Sequence, residues 1–190
     1  NIANLLLNKF GERCIFDGID ITNDNILNVI NNEDIMIKIL RSCKDGKTLL
    51  NNINNKNILS IASKKKYKAF IKFVLENFEI ENHITADNEL LLMVFCYNSM
   101  HEIAHLLVDI YGIKCIPETH YHHGNTILSY ACKYRYEDII IKLLDLYGDK
   151  IINYTENDTT NYDNNIFALA YKNGLEKVLI KLLDILNEKF

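Results

Sequence analysis

The chain has 190 residues, of which 48% are apolar and 24% charged, a balance that allows a buried core and excludes the class of disordered chains. The formal net charge of −4 provides no field that would gather phosphates, so we expect no nucleic-acid partner. Asn and Ile are unusually frequent, with 25 and 28 residues. Both are favoured by AT-rich coding, which indicates a protist, an AT-rich bacterium or a large DNA virus as the source.

The cysteines and the longest apolar stretch both bear on location. The five Cys make an odd number, and none is part of a CxxC pair, so we expect reduced thiols in the cytoplasm or nucleus. The longest apolar stretch, residues 90–97, is much shorter than the ~20 residues of a membrane span. We therefore expect no membrane anchor and no membrane partner.

An amphipathic helical pattern, with apolar residues at i, i+1, i+4 and i+5, recurs along the chain. In chain order it predicts helices over residues 34–41, 69–76, 102–109, 138–145 and 177–184. Gly112 and Gly148 follow two of these stretches where a helix must end, so we expect the left-handed C-cap conformation at both. Tyr111 and Tyr147 stand just before these glycines and are predicted to pack between units.

A shorter helical stretch precedes several of these helices, with two apolar residues at its start and a small residue at its end. It occupies residues 58–62, 127–131 and 166–170. The small residue, which is Ala62, Ala131 or Ala170, allows two helices to approach closely. The segments between successive units contain no helical pattern and are predicted to be turns or extended fingers.

Residues 124–131, GNTILSYA, resemble the G-x-T-P-L-H-x-A opening of an ankyrin repeat, and residues 137–144 resemble its outer helix. The resemblance covers nearly the whole chain, although Ile127 replaces the usual Pro and Ser129 the usual His. It implies an all-α ankyrin-type repeat solenoid of about five helix-turn-helix units. We expect a single array over residues 1–190, with a partial unit at 1–11 and units at 12–44, 45–79, 80–112, 113–148 and 149–187. Because the array begins within a helix, we also expect a fragment of a longer protein.

The resemblance implies a protein–protein interaction module with no enzymatic activity and no cofactor, since a solenoid offers a long concave face and no closed pocket of its own. In AT-rich viruses and intracellular parasites such arrays often act on host proteins, which makes a host protein one candidate partner. The residues expected to contact the partner lie at finger tips and at the turns after the inner helices: Asp87, Glu89, Tyr97, Asn98, His122, His123, Asn125, Lys133, Tyr134, Tyr162, Asn164, Lys172 and Asn173. Among these, Tyr97, Tyr134 and Tyr162 are the expected hot spots.

One motif points to a different class of function. Residues 101–105, HEIAH, match HExxH, in which two His one helical turn apart share Zn²⁺ and the Glu acts as general base on the bound water. A zinc-dependent hydrolase using His101, Glu102 and His105 is therefore the alternative function. The extended motif needs glycine at position 108 and histidine at position 111, where the chain has Val108 and Tyr111.

The third zinc ligand is thus missing locally. More distant candidates, Glu118, His120, His122 and His123, lie beyond the far end of the helix. Other units place Lys68, Glu137 and Glu176 at the position of His101, which is typical of a solvated outer position. We therefore expect no bound metal and no catalytic residues.

Two further clusters have ordinary interpretations. Residues 63–68, SKKKYK, resemble a nuclear localisation signal, but they fall at a predicted inter-helix turn, where a solvated charge run is the preferred interpretation. His120, His122 and His123 offer imidazoles to a metal ion, yet no Cys or carboxylate supports them. We prefer to interpret them as finger-tip residues that are available for contact.

Overall fold

The computed structural model describes residues 32–42, 58–80, 90–116, 127–148 and 166–187. About 82% of these residues are helical and none of them forms a strand, so the predicted all-α fold is confirmed. The α-helices are α1 (Glu33–Ser42), α2 (Ile58–Lys64), α3 (Lys68–Asn77), α4 (Leu91–Tyr97), α5 (His101–Tyr111), α6 (Ile127–Lys133), α7 (Glu137–Tyr147), α8 (Ile166–Lys172) and α9 (Glu176–Asn187). A short 3₁₀ helix, Gly112–Cys115, follows α5 directly.

The chain divides into two compact units, Asn1–Asp87 and Asn88–Phe190. In the first unit, α1 and α2 both pack against α3. The predicted apolar pattern of α3 forms the core there, with Phe70, Ile71 and Val74 fully buried. Between α1 and α3, the Glu33 carboxylate accepts hydrogen bonds from the backbone N–H groups of Ala69 and Phe70, at 3.0 and 3.3 Å. A side chain of one repeat thus caps the helix of the next.

The described residues of the second unit form three helix pairs, α4 with α5, α6 with α7 and α8 with α9. The first helices pack in the order α4, α6, α8, and the second helices pack in the order α5, α7, α9. The apolar pattern again supplies the core, since Ile139, Ile140 and Leu143 are fully buried. Ala131 and Ala170, the small residues of the predicted pattern, are also fully buried.

The turn between the two helices of a pair has the same backbone conformation in four repeats. Lys66, Ser99, Arg135 and Gly174 occupy equivalent positions and have φ between 55° and 66°. The residue after each of them donates to a carbonyl five residues earlier, as Tyr136 does to Ala131 at 2.9 Å. This is the Schellman pattern, in which a left-handed residue closes the helix end. Three of the four are not glycine, so the sequence, which predicts the turns themselves, did not indicate their left-handed conformation.

The two helices α5 and α7 end at glycine, as predicted, but not in the predicted conformation. Gly112 has φ 51° and ψ −129°, and Gly148 has φ 57° and ψ −135°. The positive φ is confirmed, whereas the negative ψ lies outside the left-handed helical region. This backbone region is essentially restricted to glycine, because it brings a Cβ too close to the backbone.

Several sequence predictions lie outside the described residues. These are the partial unit 1–11, the fingers between the units and the histidines at 120, 122 and 123. The basic run at 63–68 does lie at an inter-helix turn, between α2 and α3. Helices α3, α5, α7 and α9 end within two residues of the predicted unit ends, while the division of the chain into units stays a prediction. Among the described residues, no helix has the length and apolar character needed to cross a membrane.

Candidate functional site

Six of the thirteen predicted contact residues lie in the described part of the chain, namely Tyr97, Asn98, Lys133, Tyr134, Lys172 and Asn173. The other seven, Asp87, Glu89, His122, His123, Asn125, Tyr162 and Asn164, lie outside it. The six described residues occupy the ends of the first helices α4, α6 and α8 and the turns that follow them. The structure therefore brings the predicted contacts of successive repeats to equivalent places.

Three aromatic rings form a continuous group across α4 and α6, which we call the tyrosine patch: Tyr97, Tyr130 and Tyr134. The ring centroids of Tyr97 and Tyr130 are 6.4 Å apart, and the Tyr130 and Tyr134 rings stack at 6.4 Å with an angle of 10°. The Lys133 ammonium lies 5.9 Å from the centroid of Tyr134. Tyr97 and Tyr130 are half-buried, and Tyr134 is 37% exposed. The patch offers apolar area with polar tips at the surface.

Sequence reasoning missed Tyr130 in this patch. It lies inside the predicted first helix at 127–131, which was interpreted as a packing element. The signal available was its position one helical turn before Tyr134, because residues at i and i+4 share a helix face. Tyr171 on α8 was also missed, and its side chain is 80% exposed.

The two asparagines of the predicted surface use their amides locally. Asn98 Nδ2 donates to the Val94 carbonyl at 2.9 Å, and Asn173 Nδ2 donates to the Leu169 carbonyl at 2.8 Å. In both cases the side-chain amide is a second donor to a carbonyl that already accepts the backbone N–H of the same asparagine, at 3.1 Å, at the end of a first helix. Both residues are half-buried. Their main observed contacts are therefore with their own turns.

The HExxH residues lie in the first turns of α5, as their spacing predicts. Ile103 is 3% exposed and belongs to the core, while Glu102 is exposed. The side chains of His101 and His105 are 45% and 28% exposed, and their ring centroids lie 5.1 Å apart. The two imidazoles thus share one face of the helix.

Both imidazoles point at one carboxylate on the next second helix. His101 Nε2 lies 2.9 Å from Asp138 Oδ1, and His105 Nε2 lies 2.6 Å from Asp138 Oδ2. The ligand atoms of these three residues all lie within 4.8 Å of one another. We call this group the His–Asp cluster. Asp138 is not among the third ligands that the sequence suggests. It offers the third donor that the HExxH motif alone lacks.

Neighbouring groups hold the His–Asp cluster in place. The ring of Tyr136 stacks on His101 at 4.9 Å with an angle of 19°, and its hydroxyl donates to the Cys96 carbonyl at 3.2 Å. Burial raises the pKa of Tyr136 to about 12, so the hydroxyl remains a donor. The backbone N–H of Ile139 donates to Asp138 Oδ1 at 2.9 Å. Asp138 is thereby fixed at the start of α7.

The electrostatic balance at Asp138 favours the ionised carboxylate. Partial burial acts to raise its pKa, but hydrogen bonds from His101, His105 and the Ile139 backbone outweigh burial and lower the pKa to about 2. A charged oxygen acceptor and two imidazole nitrogens therefore converge at neutral pH. These are ligand types that Zn²⁺ and related divalent ions prefer.

Three cysteine thiols of the second unit do not provide charged donors of this kind. Cys96, Cys115 and Cys132 are free and buried. Burial raises the pKa of the Cys115 and Cys132 thiols to about 12 and raises that of Cys96 further. They remain protonated at neutral pH and are inert core residues.

Comparison with known families gives one match. A family model described as ankyrin repeats, in three copies, matches residues 59–158, which is more than half of the chain. This range includes the tyrosine patch and the His–Asp cluster. Comparisons with curated proteins and with solved structures gave no match.

Proposed function

Because this chain belongs to the ankyrin-repeat family, whose members are generally protein–protein interaction modules, we propose that it binds a partner protein through the concave face of its array. The observation that carries this proposal is the tyrosine patch. Its three rings come from two successive repeats, as expected of a surface on which a partner contacts more than one repeat. Tyr combines a large apolar area with a polar tip and loses little conformational entropy on binding.

The binding surface includes the tyrosine patch with Lys133, and it extends to Lys172 in the following repeat. The predicted finger-tip residues complete it in our proposal. The partner is a protein rather than a nucleic acid or a membrane, because the net charge of −4 favours neither. A composition typical of AT-rich genomes makes a host protein the first candidate. The repeats act as a binding scaffold in the cytoplasm or nucleus and not as an enzyme.

Affinity capture from a host lysate, followed by quantitative binding to the captured protein, tests this function. Tyr134→Ala is expected to weaken binding by about 2 kcal/mol, or roughly thirtyfold in Kd, if the patch contains the hot spot. Leu146→Ala is the matched control, since Leu146 is an exposed apolar residue of similar accessibility, 43%, on the second helix α7. Equal affinities of the wild type and of Tyr134→Ala, with unchanged circular dichroism, would contradict the proposed face.

Zinc-dependent hydrolysis is the second candidate, and Asp138 is the observation that favours it, because catalytic zinc sites use three protein ligands. Protein binding is preferred, since Glu102 and His101 are both exposed, whereas hydrolases shield the bound water. Peptide and ester hydrolysis should be assayed with added Zn²⁺ for the wild type and for Glu102→Gln. We expect no turnover from either protein. Turnover that Glu102→Gln abolishes would establish the hydrolase instead.

A further inference from the structure

We propose that His101, His105 and Asp138 form a binding site for a divalent transition-metal ion of the zinc type, placed between the second helices of two successive repeats. The donors would be the Nε2 atoms of the two histidines and one carboxylate oxygen of Asp138. This site is independent of the protein-binding face, because its residues belong to α5 and α7 whereas the tyrosine patch belongs to α4 and α6.

The donor atoms already face one another. Their Nε2–oxygen distances of 2.9 and 2.6 Å are hydrogen-bond distances. Around a tetrahedral Zn²⁺, with ligands at about 2.0–2.2 Å, donor atoms lie about 3.3 Å apart. The two contacts are to different oxygens of Asp138, so insertion of the ion requires these Nε2–oxygen contacts to lengthen by about half an ångström and the carboxylate to turn one oxygen toward the ion. Because all three side chains are partly exposed, small side-chain rotations can supply this movement.

The ion would take the place of the Nε2 protons through which the two histidines now contact Asp138. In the hydrogen-bonded form, Nε2–H groups donate to the carboxylate of Asp138. A metal-bound imidazole is neutral and carries its one proton on Nδ1, so each histidine changes tautomer when Nε2 coordinates the ion. The carboxylate balances one charge of the ion, and the fourth position remains open to water or to a donor atom of another molecule.

The donors lie on two helices, and neighbouring groups contact them. His101 and His105 are separated by one turn of α5, and Asp138 is held at the start of α7 by the Ile139 backbone. The Tyr136 ring stacks on His101, and its hydroxyl is anchored on the Cys96 carbonyl. Ligands fixed in this way lose little freedom when a metal binds.

The equivalent positions in other repeats lack this donor set. At the α1–α3 and α7–α9 junctions, Glu33 and Glu137 replace His101, and their carboxylates accept from the backbone of the next helix. Ile37 and Ile141 stand at the position of His105. In the described part of the chain, two junctions thus carry a helix cap and one carries three side chains of types that bind metals. A purely structural contact would not require imidazoles at both positions.

Zinc affinity should be measured on the untagged, reduced chain by competition with a chromophoric chelator. We expect one Zn²⁺ per chain, with affinity reduced about tenfold or more in His105→Ala and in Asp138→Asn. Glu137→Gln is the matched control, since it changes the neighbouring carboxylate on the same helix turn and should leave the affinity unchanged. The melting temperature should rise with Zn²⁺ by several degrees in the wild type and not in Asp138→Asn.

The proposal is overturned if the wild type binds no Zn²⁺ more tightly than the Asp138→Asn variant does. It is also overturned if the affinity survives in His101→Ala/His105→Ala and is lost in His122→Ala/His123→Ala, because the finger histidines would then be the ligands. Circular dichroism of each variant shows whether the helices are intact. Should His105→Ala unfold, Asp138→Asn carries the test, since the amide retains the size of the carboxylate.

Discussion

Two junctions of the second unit have the same scaffold and different polar contacts. Where α5 meets α7, two histidines of the earlier helix contact Asp138 of the later one. Where α7 meets α9, Glu137 accepts a hydrogen bond from the backbone N–H of Lys177 at 3.1 Å. The position of His101 in the first junction is the position of Glu137 in the second. The acceptor therefore changes sides: it belongs to the later helix at the α5–α7 junction and to the earlier helix at the α7–α9 junction.

Two other features recur at both junctions. Val108 and Leu144, at equivalent positions, are each 1% exposed. Asp109 pairs with Lys142 at the first junction, and Asp145 pairs with Lys181 at the second, at 2.5 Å. Because the apolar layer and the acid–lysine pair recur, they serve the stacking of repeats. The polar position at the start of the helix is free to vary, and variation there can introduce a site without changing the fold.

The largest expected effect comes from the apolar layer. Leu144→Ala should lower the free energy of unfolding by about 3 kcal/mol, because this side chain is buried on a helix that packs against α9 and a cavity would remain. Leu183 occupies the same position in the next repeat but is 54% exposed, so Leu183→Ala should cost less than about 1 kcal/mol. Urea unfolding followed by circular dichroism measures both. Similar losses from the two variants would show that Leu183 on α9 is buried in solution to the same extent as Leu144 on α7.

The polar contacts of the two junctions should differ less in their contribution to the free energy of unfolding than the two leucines do. In the presence of a chelator, Asp138→Ala should lower the free energy of unfolding by about 1–2 kcal/mol, because two imidazoles and a backbone N–H lose their acceptor. Glu137→Ala should cost about 0.5–1 kcal/mol, since it removes one backbone hydrogen bond and an exposed ion pair. A larger loss from Glu137→Ala than from Asp138→Ala would contradict the expected order of the two polar contacts.

The turns that precede α7 and α9 should both be more stable with glycine at the position of positive φ. Gly174→Ala should destabilise by about 1 kcal/mol, because its φ is 66° while no atom crowds the added Cβ. Arg135→Gly, at the equivalent position with φ 59°, should stabilise by up to about 1 kcal/mol. Thermal unfolding of the two variants checks the pair. A loss of stability in Arg135→Gly would show that its side chain compensates the strain.

The smallest effect concerns a buried hydroxyl in the first unit. Ser63 is fully buried, and among the described residues its Oγ has no hydrogen-bond partner. Cys96 and Cys132 occupy the same position in the second unit. Ser63→Ala should therefore stabilise by several tenths to about 1 kcal/mol, and Ser63→Cys should do the same. Urea titration measures the gain, and a loss from both variants would point to a partner that the hydroxyl uses.

The repeat architecture could be predicted from the sequence because it depends on local periodicity. The apolar pattern of residues 138–145 lies within α7, and the small-residue pattern of 127–131 lies within α6. The turns were harder to predict, since Lys66, Ser99 and Arg135 share a positive φ without sharing a residue type. Here the packing of the two helices imposes a conformation that the residues themselves do not favour.

The His–Asp cluster could be predicted only in part. His101 and His105 are four residues apart, so their proximity follows from helix geometry alone. Asp138 lies 37 and 33 residues away, and its approach depends on how far one repeat is displaced from the next. Glu33, which reaches Ala69 at a separation of 36 residues, shows that this displacement recurs. Comparing the side chains of neighbouring repeats, as well as their equivalent positions, would have found the carboxylate.

The most direct test of this account is a crystal structure grown with Zn²⁺, with anomalous diffraction recorded at the zinc edge. We predict one anomalous peak between His101, His105 and Asp138 at the α5–α7 junction. At the α7–α9 junction, we predict that Glu137 caps Lys177 without a metal. An anomalous map without a peak at the His–Asp cluster, or with its strongest peak at the α7–α9 junction, would contradict the account.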